Sequence, residues 1–375
     1  MSPVLIFDPS CPAPYGRRTL DESALGGTEA TVVRIAEALD AVVMQHNRVH
    51  TDGRYRTGRA EARTGDADAS RSGVASLIVL RDPRAVRPLC ERFPGARPYL
   101  WLHDLVRPGS KRGRWLAAEA GTLAHLGVTL VCVSDFQRAQ AEAVLRRAGV
   151  AERVRAVTIY NPIDDALAPD GSAVDPDKLV FFSSPNKGLA FALDAFAALR
   201  REMPRLRLCV GSPGYRSLRK AGVRGPGSAG AARPGIEWLG PLPHAEILAE
   251  VRTALCVFYP NFVLPETFGL VLAEARALGT PVLTHDCGAA GEVLGDPRQT
   301  LPVSPAARRY ERAASALPAL LRPAMASWAM RRGLFQRYTD TIRAWRDGDR
   351  PRVGPDPRFR LTSVARRWHA LLDPT

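Results

Sequence analysis

The sequence predicts an α/β protein of two domains, each a parallel sheet wrapped by helices. Three observations carry this expectation. The chain has 375 residues, too many for one ordinary compact core and comfortable for two domains of about 150 to 200 residues. Short apolar runs alternate with helical or polar stretches along most of it, the pattern of strand–helix–strand units. The alternation also restarts after a turn-rich stretch, NPIDDALAPDGSAVDPD (161–177), where a domain boundary is expected. The first domain is placed over residues 1–168 and the second over 169–350, with a helix at about 359–375 returning to pack on the first.

VLIF (4–7) is short and wholly apolar, as a strand covered on both faces must be. In GGTEATVVRIAEALD (26–40), Val32, Ile35, Ala36 and Leu39 recur at helical spacing. AVVMQ (41–45), SLIVL (76–80), PYLWLHD (98–104), TLVCVSD (129–135) and VTIYNPID (157–164) continue the first set of strands. KLVFFSS (178–184), RLRLCVGS (205–212), IEWLG (236–240), ALCVFYP (254–260) and TPVLTHD (280–286) make the second. Functional residues in such sheets sit on the loops that follow the strands. Residues 50–73 are almost without apolar side chains and are expected to form a surface loop with no core; the basic, glycine-rich stretch 216–235 is expected to be a flexible loop. LTSVARRWHALL (361–372) closes the chain as an amphipathic helix through Val364, Trp368, Leu371 and Leu372.

A hydrophobic content of 46% with 24% charged residues fits a soluble globular protein. No run of about 18 apolar residues is present, and the N-terminus has neither a basic start nor an apolar signal core, so a cytoplasmic location is expected. The six cysteines lack any C-x-x-C spacing and read as reduced thiols, with no metal site. Lysine and arginine outnumber acids by 52 to 38. This excess reflects either arginine-rich codon usage or attraction to an anionic partner, a phosphorylated ligand or an anionic membrane surface. No helix carries the arginine stripe with interleaved aromatics of nucleic-acid modules, which argues against that partner.

The most informative stretch is PETFGLVLAEARALGTPVL (265–283), with Glu266 before a helical run and Glu274 inside it. A helix starting near Phe268 or Gly269 presents unpaired amides and partial positive charge there, which suits a phosphate. Carboxylates on either side could take hydroxyls flanking a bound diphosphate, the shape of a nucleoside diphosphate sugar. Taken alone, the pair is also what helix capping and a solvated helix face produce.

PETFGLVLAEA closely resembles the donor-binding motif of glycosyltransferase family 4, retaining enzymes of the GT-B architecture with two facing Rossmann-like domains and an interdomain cleft. The resemblance continues in order along the chain, through Leu25-Gly26-Gly27-Thr28-Glu29, His103 in WLHD, Ser134, Asn161-Pro162-Ile163-Asp164 and Ser183-Ser184-Pro185-Asn186-Lys187-Gly188-Leu189. It implies that Glu266 binds hydroxyls of the transferred sugar and that Glu274 accepts from the ribose. Amides of Phe268, Gly269 and Leu270 would meet the sugar and diphosphate, and Lys187 would neutralise the leaving group. His103 would stand beside the donor sugar, Gly26 and Gly27 near the phosphates and acceptor, and Ser183, Ser184 and Asn186 on the diphosphate loop. The implied reaction is metal-independent hexosyl transfer from a UDP-, GDP- or ADP-sugar to a glycan, lipid-linked or other acceptor, without a cofactor and with peripheral contact to an anionic membrane. Many family members have an arginine five residues before the lysine, where this chain has Phe182. That departure keeps an inactive nucleotide-sugar-binding scaffold as an alternative, beside an epimerase or phosphorylase of the same fold.

Overall fold

The computed structural model describes residues 3–23, 25–58, 73–211, 233–262, 264–305, 308 and 324–373, with the side chains of 324–330 left aside. It divides into two compact units. Unit 1 comprises Met1–Leu20, Leu25–Asp165 and Pro357–Thr375; unit 2 comprises Asp21–Ala24 and Ala166–Asp356.

Unit 1 begins with β1 (Val4–Asp8), α1 (Arg17–Glu22), α2 (Gly27–Ala38), β2 (Val42–Gln45), β3 (Tyr55–Thr57) and β4 (Ser76–Leu80). It continues through α3 (Val86–Arg92), β5 (Arg97–Leu102), α4 (Lys111–His125), β6 (Thr129–Cys132), α5 (Asp135–Arg147) and β7 (Ala156–Thr158). The strands pair in parallel in the order β3-β2-β1-β4-β5-β6-β7. β1 and β4 are buried at every position, and apart from Asp8 and Ser76 at their ends they are apolar, as strands covered by helices on both faces must be. α2 points Val32, Val33, Ile35 and Ala36 into the core.

One expectation needs correction: the segment 50–73 is not wholly without a core role. Tyr55–Thr57 pairs with β2 as an edge strand, and Tyr55 is 5% exposed. Three residues with one apolar side chain are too few to show a period. Residues 59–72, like 212–232 of the glycine-rich stretch, lie outside the described residues.

Unit 2 contains β8 (Asp175–Phe182), α6 (Leu189–Glu202), β9 (Arg207–Gly211), β10 (Ile236–Gly240), α7 (His244–Arg252) and β11 (Ala254–Phe258). α8 (Leu270–Ala277), β12 (Val282–His285), α9 (Ala290–Leu294), β13 (Thr300–Leu301) and α10 (Ala324–Ala344) follow. Its sheet is also parallel, in the order β10-β9-β8-β11-β12-β13. The closing helix α11 (Leu361–Leu372) belongs to unit 1, where it packs on α2 and sets Trp368 edge-on to Trp101 at 4.9 Å. None of the six cysteines is in a disulfide. Among the described residues no helix is long and apolar enough to cross a membrane.

Both units are Rossmann-like: the chain runs outward in one direction from a central strand, then returns to continue on its other side. The order therefore reverses between β1 and β4 in unit 1 and between β8 and β11 in unit 2. Loops leaving two such strands at their carboxyl ends diverge and open a crevice, the usual ligand position in open α/β sheets.

Candidate functional site

In unit 2 the loops at this crevice carry most of the residues singled out in the sequence. After β8, Ser183 and Ser184 are buried, and the chain turns through Pro185–Lys187, the Lys187 amide donating to the Ser184 carbonyl at 2.9 Å. The Ser184 hydroxyl donates to Asn186 Oδ1 at 2.7 Å. Gly188 then adopts φ 96° and starts α6, a left-handed conformation that L side chains resist. The loop after β11 returns through Tyr259, Asn261 and Glu266 to Gly269, which with φ 90° starts α8.

Two helices thus begin at adjacent central strands, each behind a left-handed glycine and neither with a side-chain cap. In the first turns the Leu189 amide donates to the Pro185 carbonyl at 3.1 Å and the Leu272 amide to the Gly269 carbonyl at 2.9 Å, while no side chain caps the remaining amides, and both dipoles point positive at the crevice. Few arrangements favour a diphosphate more.

Glu266 is 3% exposed, and a buried carboxylate is tolerated only when paired and hydrogen-bonded. Lys187 Nζ lies 2.9 Å from Glu266 Oε1 and 2.8 Å from Oε2, and the Tyr259 hydroxyl donates to Oε1 at 2.5 Å. Burial, reinforced by the Glu266 charge, pushes the Tyr259 phenol well above its usual pKa, so it stays a neutral donor. Asn261 fixes the loop by donating to the Leu264 carbonyl at 2.7 Å and contacts the Tyr259 hydroxyl at 3.4 Å. The Glu266 backbone is clamped as well: its amide donates to the Cys287 carbonyl at 3.1 Å, and its carbonyl accepts from the Ala289 amide at 2.9 Å. Between those partners, Gly288 has φ 82°, and a Cβ there would lie 2.2 Å from the Glu266 carbonyl oxygen.

Glu274 stands on α8, also 3% exposed, with Oε1 3.1 Å from Nε2 of His244, the first residue of α7. Phe268 is buried, while Leu270, the first residue of α8, is half-buried. Phe182 ends β8 as a buried apolar side chain. Arg233, at the end of the basic stretch 216–235, pairs with Asp194 on α6 at 3.4 Å.

In unit 1, Gly26 and Gly27 open α2, and a Cβ at Gly26 would lie 2.2 Å from Glu29 Oε2, so glycine leaves room for that carboxylate. Glu29 pairs at 3.4 Å with Arg81, which follows β4 with φ 62°. His103 follows β5 with its ring 4.7 Å from Trp101. Burial, then the Arg81 charge, holds His103 well below its usual pKa and hence neutral at pH 7. Arg81 at the end of β4 thus pairs with Glu29 beside the glycine loop, and its charge is felt at His103. Reading the sequence missed Arg81, Tyr259, Asn261, His244 and Gly288. Polar residues directly after a buried strand were the available signal for Tyr259 and Asn261; His244 and Gly288 offered none.

The sequence of this crevice has relatives. Residues 176–322 match the family Glycosyl transferases group 1. The match lies wholly within unit 2. Over 198 residues it is 28% identical to a phosphatidyl-myo-inositol mannosyltransferase of Mycobacterium tuberculosis, covering 48% of this chain and 50% of that protein. Over 156 residues it is 31% identical to a D-inositol 3-phosphate glycosyltransferase of Jonesia denitrificans, covering 37% and 35%. The chain thus spans half or less of the length of these relatives. Among solved structures, Anabaena Alr3699/HepE, crystallised with UDP and glucose, covers 100% of both chains with a TM-score of 0.62 at 16% identity. WaaG, a glycosyltransferase involved in lipopolysaccharide biosynthesis, covers 99% of this chain and 100% of its own, with a TM-score of 0.54 at 13% identity. At such identities the likeness is one of fold: two Rossmann-like units of the GT-B class. The group 1 match begins inside β8 and extends past β13, so it contains Lys187, Glu266 and Glu274.

Proposed function

We propose that this protein is a retaining hexosyltransferase that moves a sugar from a nucleoside diphosphate sugar to a glycan, lipid-linked or other acceptor without a metal ion. The carrying observation is the Lys187–Glu266–Tyr259 cluster at the crevice of unit 2, flanked by two uncapped helix N-termini. A lysine and two helix ends supply fixed positive charge where a nucleoside diphosphate departs, the task a metal ion performs elsewhere. In the absence of donor, Lys187 neutralises Glu266. With donor bound, the lysine, whose side chain is 38% exposed and able to swing, turns to the diphosphate, and the carboxylate takes hydroxyls of the transferred sugar. Tyr259 keeps one carboxylate oxygen in place throughout. Glu274 receives the ribose hydroxyls, and neutral His103 offers a hydrogen bond without adding charge. We assign no protein nucleophile: with donor bound, Glu266 Oε1 still accepts from the Tyr259 hydroxyl and the carboxylate is engaged by the sugar hydroxyls, all donors that lower its nucleophilicity.

Similarity to a phosphatidyl-myo-inositol mannosyltransferase and a D-inositol 3-phosphate glycosyltransferase makes inositol phosphates and inositol lipids the first acceptors to try. A thermal-shift panel of UDP, GDP, ADP and their sugar conjugates, with and without magnesium, identifies the donor because a ligand selective for the folded state raises the melting temperature. Incubation with that sugar nucleotide should then yield free nucleoside diphosphate slowly alone and faster with acceptor. A second reading, a nucleotide-sugar-binding scaffold without turnover, is favoured by apolar Phe182, which leaves Lys187 without the second cation that the resemblance to glycosyltransferase family 4 leads one to expect there. Binding without any release of nucleoside diphosphate selects the scaffold, and no shift with any panel member excludes both readings.

A further inference from the structure

Unit 1 holds a second concave site at the far edge of its sheet, where β7 ends and α11 crosses. A cavity of about 580 Å³ is lined by Asp135, Thr158, Tyr160, Arg358, Arg366 and Arg367, among others. It adjoins one of about 240 Å³ that shares Thr158 and Arg367 and adds Arg155. The first is within the size range of small-molecule sites. β7 is separated from the β1–β4 crevice by β5 and β6, so this is not the crevice that carries Gly26 and His103.

Its charge is one-sided. The only acid in the lining, Asp135, is already committed: Oδ1 accepts from the Thr158 hydroxyl at 2.7 Å and pairs with Arg138 at 3.2 Å, while Oδ2 accepts from the Tyr160 hydroxyl at 3.4 Å. The hydrogen bond from Thr158, then the Arg138 contacts, hold it below the usual carboxylate range. Arg366 and Arg367, adjacent and exposed on α11, form no ion pair with any acid among the described residues, and the Arg367 guanidinium lies 5.9 Å from the Tyr160 ring centroid. The Arg358 guanidinium lies 5.5 Å from the same ring centroid. Arg366 and Arg367, without an acid partner among the described residues and beside a cavity that Tyr160 helps to line, form a receptor for an anion with an organic body. The guanidinium fork matches phosphate oxygens two at a time.

We propose that the β7–α11 cavity is a binding site for a phosphate ester, with Arg366 and Arg367 holding the phosphate and the Tyr160 ring packing against its organic part. It is independent of the donor crevice in unit 2. The ester is either a free metabolite or the headgroup of a phospholipid, and the test separates the two sources. Full-length protein is titrated with glycerol 1-phosphate by calorimetry, and its sedimentation is measured with phosphatidylcholine vesicles containing or lacking phosphatidylglycerol. The same measurements are made on the double variant Arg366→Gln, Arg367→Gln and, separately, on Ala370→Glu, which sets a carboxylate into the cavity from an exposed position of α11. Saturable binding of glycerol 1-phosphate, weakened at least tenfold in both variants, supports a soluble ester. Sedimentation only with phosphatidylglycerol, lost in both variants and not reproduced by glycerol 1-phosphate, supports a lipid headgroup. Absence of both signals in the unaltered protein, or signals unchanged in folded variants, overturns the proposal.

Discussion

Replacing Lys187 by methionine keeps most of the side-chain stem and removes the charge, leaving the Glu266 carboxylate buried with the Tyr259 hydroxyl as its one side-chain partner among the described residues. Breaking a fully buried ion pair costs roughly 3–5 kcal/mol. Lys187 is 38% exposed, so water screens part of the interaction and the expected loss falls to about 1–3 kcal/mol. For a unit of this size that corresponds to about 2–4 °C in melting temperature per kcal/mol. The decisive comparison is a double-mutant cycle in urea. Glu266→Gln removes the charge that Lys187 neutralises, so Lys187→Met should cost little once Glu266→Gln is present, giving a coupling of about 1–2 kcal/mol. Strictly additive losses, or a Lys187→Met variant as stable as the parent, would refute the view that this lysine compensates a buried carboxylate.

Gly288→Ala places a methyl group against the Glu266 carbonyl at a left-handed position; it should cost at least 2 kcal/mol and displace Glu266, lowering sugar-nucleotide turnover more than nucleoside diphosphate binding, as parallel activity and calorimetry would record. His285, whose Nδ1–H donates to the Leu301 carbonyl at 2.6 Å while Nε2 accepts from the Tyr338 hydroxyl at 2.5 Å, is held by burial at a pKa of about 4, down from 6.5. Between those values only the unfolded chain takes up the proton, so this site's contribution is full above about pH 6.5 and falls by about 3 kcal/mol as the pH drops toward 4. Urea titrations of the parent and His285→Gln across that range should diverge at high pH and converge at low pH. His103, neutral by burial, should add no inflection near pH 6.5 to the turnover profile, and an inflection abolished by His103→Gln would show that it titrates there.

The architecture was legible because a doubly covered strand has no way to hide its composition: VLIF, SLIVL and ALCVF are buried at every position. Tyr55–Thr57 escaped because an edge strand of three residues needs only one buried side chain, and Tyr55 sits among arginines and glycines. In the candidate site, motif residues could be named from the sequence, but their partners could not. The Lys187–Glu266 contact joins positions 79 apart through the pairing of β8 with β11, and no local pattern encodes that pairing. Tyr259 and Asn261 looked like the ordinary end of an apolar run. Gly288 is explained only by the Glu266 carbonyl that approaches it from another loop.

The most direct test of the donor assignment is calorimetric titration of the nucleoside diphosphate chosen by the panel, and of its sugar conjugate, against the parent, Glu266→Ala and Glu274→Ala. Glu274→Ala should weaken both ligands alike, by about 1–3 kcal/mol for a lost charge-assisted hydrogen bond. Glu266→Ala should weaken the sugar conjugate and spare the free nucleoside diphosphate. Equal weakening of both ligands by Glu266→Ala would contradict the placement of the sugar at Glu266.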